Sequence, residues 1–258
     1  MDEEILRGGF VNQVVRVGET VRRTAGPWTT TIHRLLQHAR ERGVDWAPAP
    51  HGIDDQGREV LSYLEGEVPH DMPDWIWSEP VLLDVARALR QWHDATRDFD
   101  TTSAVWNFES PEPAEVICHH DFAPYNCVFR DQQFVGAIDF DFCSPGPRIW
   151  DLAYTAYRYV PLMPPTGSIA GPGAQETSRF SIGEMGRRLD HFLDTYAGSS
   201  TALRVANPTM VSATIKRLRA IADWTEQHSA KENIPEIMNH AAMYRAHADW
   251  LAATDLTN

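Results

Sequence analysis

The feature that most restricts what this chain can become is a polar cluster followed by two short apolar runs at fixed distances. The cluster is His119-His120-Asp121-Phe122-Ala123-Pro124-Tyr125-Asn126; the runs are Cys127 to Arg130 and Phe134 to Ile138, after which comes Asp139-Phe140-Asp141. Short apolar runs bounded by turn formers read as strands, and Asp131-Gln132-Gln133 reads as the turn between them. Counting outward from that turn pairs Arg130 with Phe134 and brings Asn126 opposite Ile138, so Asn126 and Asp139 become spatial neighbours. An amide oxygen and a carboxylate at the open end of one hairpin are hard donors of the kind a magnesium ion takes.

The wider pattern H-x-D-x-x-x-x-N, followed by a metal-binding Asp, is that of kinase catalytic loops. Phosphoryl transfer needs a carboxylate to orient the attacking hydroxyl and accept its proton, and oxygen ligands for magnesium on the transferring phosphates. Asp121 suits the first task, Asn126 and Asp139 the second. The bland alternative, three surface turn residues, leaves their spacing unexplained. At these positions HHDFAPYN resembles the H-G-D-x-x-P-x-N loop of the aminoglycoside phosphotransferase family, whose relatives include choline kinase and kinases of other small hydroxylated metabolites. AIDFDFCSPGPRIWDLAY resembles that family's I-D-W/F-D/E segment followed by G-x-x-x-x-D-L-A. The resemblance implies Asp121 as catalytic base, Asn126 and Asp139 as magnesium ligands with Asp141 assisting, and His119 and Asp151 as structural supports of the catalytic loop. His120 stands where the family usually has Gly. The implied fold is α+β, protein-kinase-like and two-lobed, with a small β-rich nucleotide-binding lobe over 1–65 and a mostly helical catalytic and substrate-binding lobe over 66–258.

The resemblance extends into the first of these lobes. Gly8-Gly9-Phe10-Val11-Asn12 looks like a nucleotide loop, in which small residues let backbone amides approach phosphate, with Gly8, Gly9 and Asn12 as candidate contacts. VVRVGETVRR alternates around Gly18-Glu19 as a tight hairpin does, and counting across it pairs Val14 with Arg23 and Val15 with Arg22. One arginine must face the nucleotide; Arg23 shares a face with Val14 and Val21, and a one-residue slip substitutes Arg22. Protein kinases pair this basic residue with a helix Glu, yet nothing between Thr24 and Arg40 is acidic. That leaves either a rearranged phosphate grip or weakened catalysis. Ser62, Tyr63 and Leu64 resemble the interlobe hinge that meets the adenine edge of ATP or GTP.

Elsewhere, apolar spacing predicts helices over Thr29 to Arg42, Val81 to Thr96, Ile182 to Ala197, Thr209 to His228 and Pro235 to Ala253. Trp46 to Pro50 reads as a connection, Arg58 to Leu64 as a strand, and 116 to 154 as short strands and loops. A net charge of -13 with no Lys/Arg cluster excludes nucleic acid as the natural partner and would suit a cationic acceptor. Glu184, Asp190, Asp194, Asp223 and Glu226 fall on predicted helices, where solvated faces are the usual fate and binding to a substrate amine the alternative. Absence of a leader pattern and of a long apolar run predicts a cytoplasmic chain with no membrane partner, and Cys118, Cys127 and Cys143 read as reduced thiols. The expected partners are a nucleoside triphosphate with Mg2+ and a small hydroxyl acceptor, aminoglycoside-like or choline-, homoserine- or sugar-like. Two rivals are a catalytically impaired nucleotide-binding regulator and a metal-dependent hydrolase using His119, His120 and Asp121; zinc is disfavoured because no C-x-x-C or H-x-x-x-H spacing is present.

Overall fold

The protein is described here by a computed structural model covering residues 3–6, 14–167, 176–232 and 235–256, the side chains of 229–238 apart. Two compact units emerge, Met1–Pro73 with Ala88–Arg148, and Asp74–Arg87 with Ile149–Asn258.

The first unit is built on a five-stranded sheet ordered β1 (Glu4–Ile5), β2 (Val15–Val17), β3 (Thr20–Thr24), β5 (Arg58–Ser62), β4 (Pro50–Ile53). Gly18-Glu19 turns β2 into β3 because Gly18 adopts φ 60 without a side-chain penalty. The resulting register sets Val15 opposite Arg22, and the next pairing sets Arg23 opposite Glu59. Helix α1 (Thr29–Glu41) follows the break at Gly26-Pro27 and buries Ile32, Leu35, Leu36 and Ala39, the stripe its spacing predicts. The segment read as a simple connection ends in β4, where Pro50 is tolerated as the first residue of an edge strand.

Helix α2 (Glu79–Thr96) ends within this unit, where buried Trp92 donates its Nε1 proton to the Ile117 carbonyl at 2.8 Å. Ile117 lies on β6 (Val116–Cys118), which pairs with β9 (Ser144–Gly146). Between them β7 (Cys127–Arg130) and β8 (Gln133–Ala137) form the expected hairpin, with one correction. Arg130 pairs with Gln133, not Phe134, because Asp131 and Gln132 alone make the turn, both at positive φ as a primed two-residue turn requires. A bulge then places Val135 between the Phe129–Phe134 and Val128–Gly136 pairs, and the added residue restores the register lost at the turn. Asn126 therefore does end opposite Ile138, whose N–H donates to the Asn126 carbonyl at 2.9 Å.

The second unit is helical. Helix α3 (Arg148–Tyr159) occupies part of the stretch read as strands and loops, starting just after Pro147. It buries Leu152, Ala153, Tyr154, Ala156, Tyr157 and Tyr159. α4 (Ile182–Ala197) opens on a capping box between Ser181 and Glu184. α5 (Asn207–Glu232) packs along α6 (Pro235–Ala252), and the buried Tyr157 hydroxyl of α3 lies 2.8 Å from His247 Nδ1 of α6.

Candidate active site

The loop between β6 and β7 is fastened at both ends before any chemistry is considered. His119 is fully buried, its ring against Phe122 and Phe140 at centroid distances of 5.4 and 4.7 Å, and its Nε2 lies 3.2 Å from the Ile138 carbonyl. That contact ties the loop to the residue preceding Asp139. His120 adopts φ 66, the left-handed region that glycine enters freely and that costs other residues about 1 kcal/mol or more. The backbone conformation that explains a Gly at this position is thus kept, and the imidazole is held by Ser144 Oγ at 2.9 Å and by the Phe108 ring.

The carboxylate of Asp121 is gripped on both oxygens. Tyr125 donates its hydroxyl proton to Oδ1 at 2.6 Å, and Asn126 donates from Nδ2 to Oδ2 at 2.8 Å and to the Asp121 carbonyl at 3.0 Å. Pro124–Asn126 form a single 3-10 turn that delivers the Asn side chain to this spot. Because Nδ2 is committed to Asp121, Oδ1 is the end of the Asn126 amide with ligand chemistry.

Across the hairpin, Asp139 also sits at positive φ, 62, a conformation Asp tolerates better than most residues. Its Oδ1 accepts from Arg23 Nη1 at 3.2 Å, while Arg23 Nη2 donates to Asp141 Oδ1. Burial pushes the Asp141 carboxyl up to about 6, against the pull of Arg23 and with the push of Asp139 and Glu59. Carboxylates crowded in this way, beside an amide oxygen, suit a divalent cation, whose charge would relieve their repulsion.

Arg23 is the arginine that reaches this cluster. Arg22 turns instead to Thr20 Oγ1 and to Asp54, 3.6 Å away. The acidic partner absent from the helix is supplied by the sheet: Glu59 accepts from Arg23 Nε, and its other oxygen lies 3.0 Å from His33 Nε2 on α1. Burial raises the Glu59 carboxyl, but the His33 contact and the Arg23 charge outweigh it and hold it below its usual range; Asp141, Glu59 and Asp139 together hold the half-buried Arg23 charged against desolvation. Neither Glu59 nor His33 was singled out from the sequence. The signal that could have found Glu59 is the β3–β5 register, which consecutive-strand counting does not reach.

At the end of β5, where the hinge is expected, the Ser62 and Tyr63 N–H groups donate to the Ala49 and Glu19 carbonyls at 2.9 and 2.8 Å. Gly8, Gly9 and Asn12 lie outside the described residues. Asp151 is fully buried in the first turn of α3, in the second unit. Cys118, Cys127 and Cys143 are buried thiols outside any disulfide. The helix carboxylates of the second unit are engaged locally: Glu184 in its cap, Asp190 with Asn207, Asp194 with Arg204, and Asp223 and Glu226 with Arg245. A hollow of about 480 Å³ beside α1, lined in part by His33, Arg34, His38 and Phe99, contains none of the residues predicted from the sequence. Among the described residues no helix is long and apolar enough to cross a membrane.

Residues 74–171 match the model of the phosphotransferase enzyme family, APH. The trifolitoxin immunity protein of Rhizobium leguminosarum bv. trifolii is 38% identical over 151 residues, 56% of this chain and 57% of that protein. The chain thus spans little more than half the length of this curated relative. A choline/ethanolamine kinase family protein from Mesorhizobium loti superposes with a TM-score of 0.67 over 98% of this chain and 89% of its own, at 16% identity. Plasmodium vivax ethanolamine kinase gives 0.67 over 98% and 83% at 13%, and the streptomycin-ATP complex of APH(2'')-IIa gives 0.55 over 95% and 93% at 14%. The phosphotransferase enzyme family, APH, is therefore matched over the stretch that holds the β6–β7 loop and the β7–β8 hairpin, and the kinase-like α+β fold of these solved structures over nearly the whole chain.

Proposed function

We propose that this chain is a small-molecule kinase, transferring the terminal phosphoryl group of ATP or GTP to a hydroxyl of a small acceptor, with Asp121 as catalytic base. The observation that carries the reading is the Asp121 carboxylate, fixed by Tyr125 and Asn126 beside the hairpin whose far strand ends at Asp139. The acceptor oxygen bonds to the terminal phosphorus, the bond to the bridging oxygen breaks, and nucleoside diphosphate leaves with the electron pair. The hydroxyl proton passes to Asp121. Asn126 through its amide oxygen, with Asp139 and Asp141, would hold Mg2+, which when bound neutralises charge on the phosphates. Arg23 grips phosphate oxygens, Leu64 is the hinge position left for the adenine edge, and Gly8, Gly9 and Asn12 cover the phosphates. His119 keeps the loop in place.

Residues 1–65 would serve as the nucleotide lobe and 66–258 as the catalytic and acceptor lobe, working in the cytoplasm. Structural neighbours support ATP as donor and range from aminoglycoside to choline and ethanolamine kinases. The immunity relative adds a toxin, trifolitoxin, to the acceptors to be tried. These names motivate a panel of aminoglycosides, choline-like amines, sugars and trifolitoxin, assayed for magnesium-dependent ATP consumption with calorimetry of nucleotide binding alongside. Consumption driven by one acceptor class supports the reading. Binding with no consumption on any acceptor supports the regulatory rival.

A further inference from the structure

Two departures from the kinase pattern, an arginine on β3 and no acid on α1 before Glu41 at its last position, are explained by a single arrangement within the first unit. Arg23 and Glu59 are direct cross-strand partners, so their side chains leave the same face of the sheet. A lysine offers one terminal nitrogen to every partner. An arginine has a planar fork, and here it divides its donors: Nε to Glu59, Nη1 to Asp139, Nη2 to Asp141. Because Nε is held by a neighbour at its own register, the plane of the guanidinium is fixed, and both terminal nitrogens project toward the candidate metal carboxylates. Glu59 is 1% exposed at its side chain, a burial that an acid tolerates only when partnered. Its second partner is His33, in the second turn of α1, which is how the helix stays connected to the grip in the absence of a helix Glu.

Resting on the phosphotransferase reading, we infer that Glu59 and His33 are positioning residues for the nucleotide: a strand-borne carboxylate takes over the task of the helix Glu, and His33 links it to α1. Arginine for lysine and strand for helix are then one compensated change, and the chain is a competent kinase rather than a weakened one. Neither residue touches the reacting atoms; both act through the orientation of Arg23.

The test is the affinity for ATP with Mg2+ by calorimetry, together with nucleotide and acceptor KM, in wild type, Glu59→Gln, His33→Ala and His33→Gln. Loss of one charge-assisted hydrogen bond predicts that Glu59→Gln weakens nucleotide binding about tenfold. The acceptor KM should stay within about twofold, since uniform loss of fold would move both. His33→Ala should weaken nucleotide binding about threefold, and His33→Gln, which can still donate to Glu59, should restore it. Wild-type nucleotide affinity in Glu59→Gln overturns the inference, as does equal loss in nucleotide and acceptor KM. Should Glu59→Gln not fold, wild-type affinity in His33→Ala, or no recovery in His33→Gln, overturns it. A wild-type chain that binds ATP without transferring it sinks the phosphotransferase reading while leaving these affinities to decide the positioning claim; one that binds no nucleotide overturns both.

Discussion

His120 shows how a departure in sequence can preserve a conformation. Its φ of 66 carries the left-handed cost, offset by a buried ring with a hydroxyl partner and an aromatic neighbour. Replacing it tests both halves. His120→Ala removes the ring and keeps the backbone penalty, whereas His120→Gly removes both, so the Gly variant should be the more stable of the two by about 1 kcal/mol in chemical denaturation. The usual order, Ala above Gly, would contradict the left-handed backbone. The catalytic candidates were legible at this scale because their spacing is rigid: Asp121, Asn126 and Asp139 are set by one loop and one hairpin. Glu59 was not, because its significance comes from a strand thirty-six residues away in sequence from the arginine it holds.

At the scale of elements, the β7–β8 hairpin was read with the right open end through two compensating differences, a turn one residue shorter and a bulge one residue longer. Nothing in Asp131-Gln132 announces a primed turn as Asn-Gly would, and a bulge leaves no mark in apolar alternation this short. The same hairpin has a close approach that fixes Gly136: a Cβ there would stand 2.5 Å from the Trp46 carbonyl oxygen and 2.7 Å from Leu64 Cδ1. Gly136→Ala should therefore cost about 1–3 kcal/mol in thermal or denaturant unfolding, as overpacking does, and a neutral result would mean the two segments separate readily. The β3–β5 pair makes a pH prediction. Glu59 is held below its ordinary value of 4.5, so its stabilisation is present above that pH and is lost as pH falls through the lower folded value. The stability gap between wild type and Glu59→Gln should be constant near neutrality and shrink below pH 4.5; a gap that grows on acidification would reverse the sign of the argument. Helix α3 escaped detection for a different reason: it begins at Arg148, directly after the turn formers Ser144-Pro145-Gly146-Pro147, within a stretch whose short apolar runs read as strands and loops.

For the whole molecule, the order of elements was readable: a hairpin and helix, a hinge-like strand end, the catalytic hairpin, then helices. What could not be read was which strands meet when they are not consecutive, and which charges are buried rather than solvated, because both are properties of packing. If the assembled groups form one nucleotide site, ATP with Mg2+ at a hundred times its dissociation constant should stabilise the chain by about 2.7 kcal/mol, and removing the metal with EDTA should abolish most of that gain in a melting experiment. An EDTA-insensitive shift would place the nucleotide away from Asn126, Asp139 and Asp141. The most direct measurement is turnover by Asp121→Asn, with folding checked by circular dichroism and nucleotide affinity by calorimetry. The account predicts a fall in kcat of about a thousandfold with ATP binding retained, as expected for a lost proton acceptor. Wild-type turnover in that variant would contradict it.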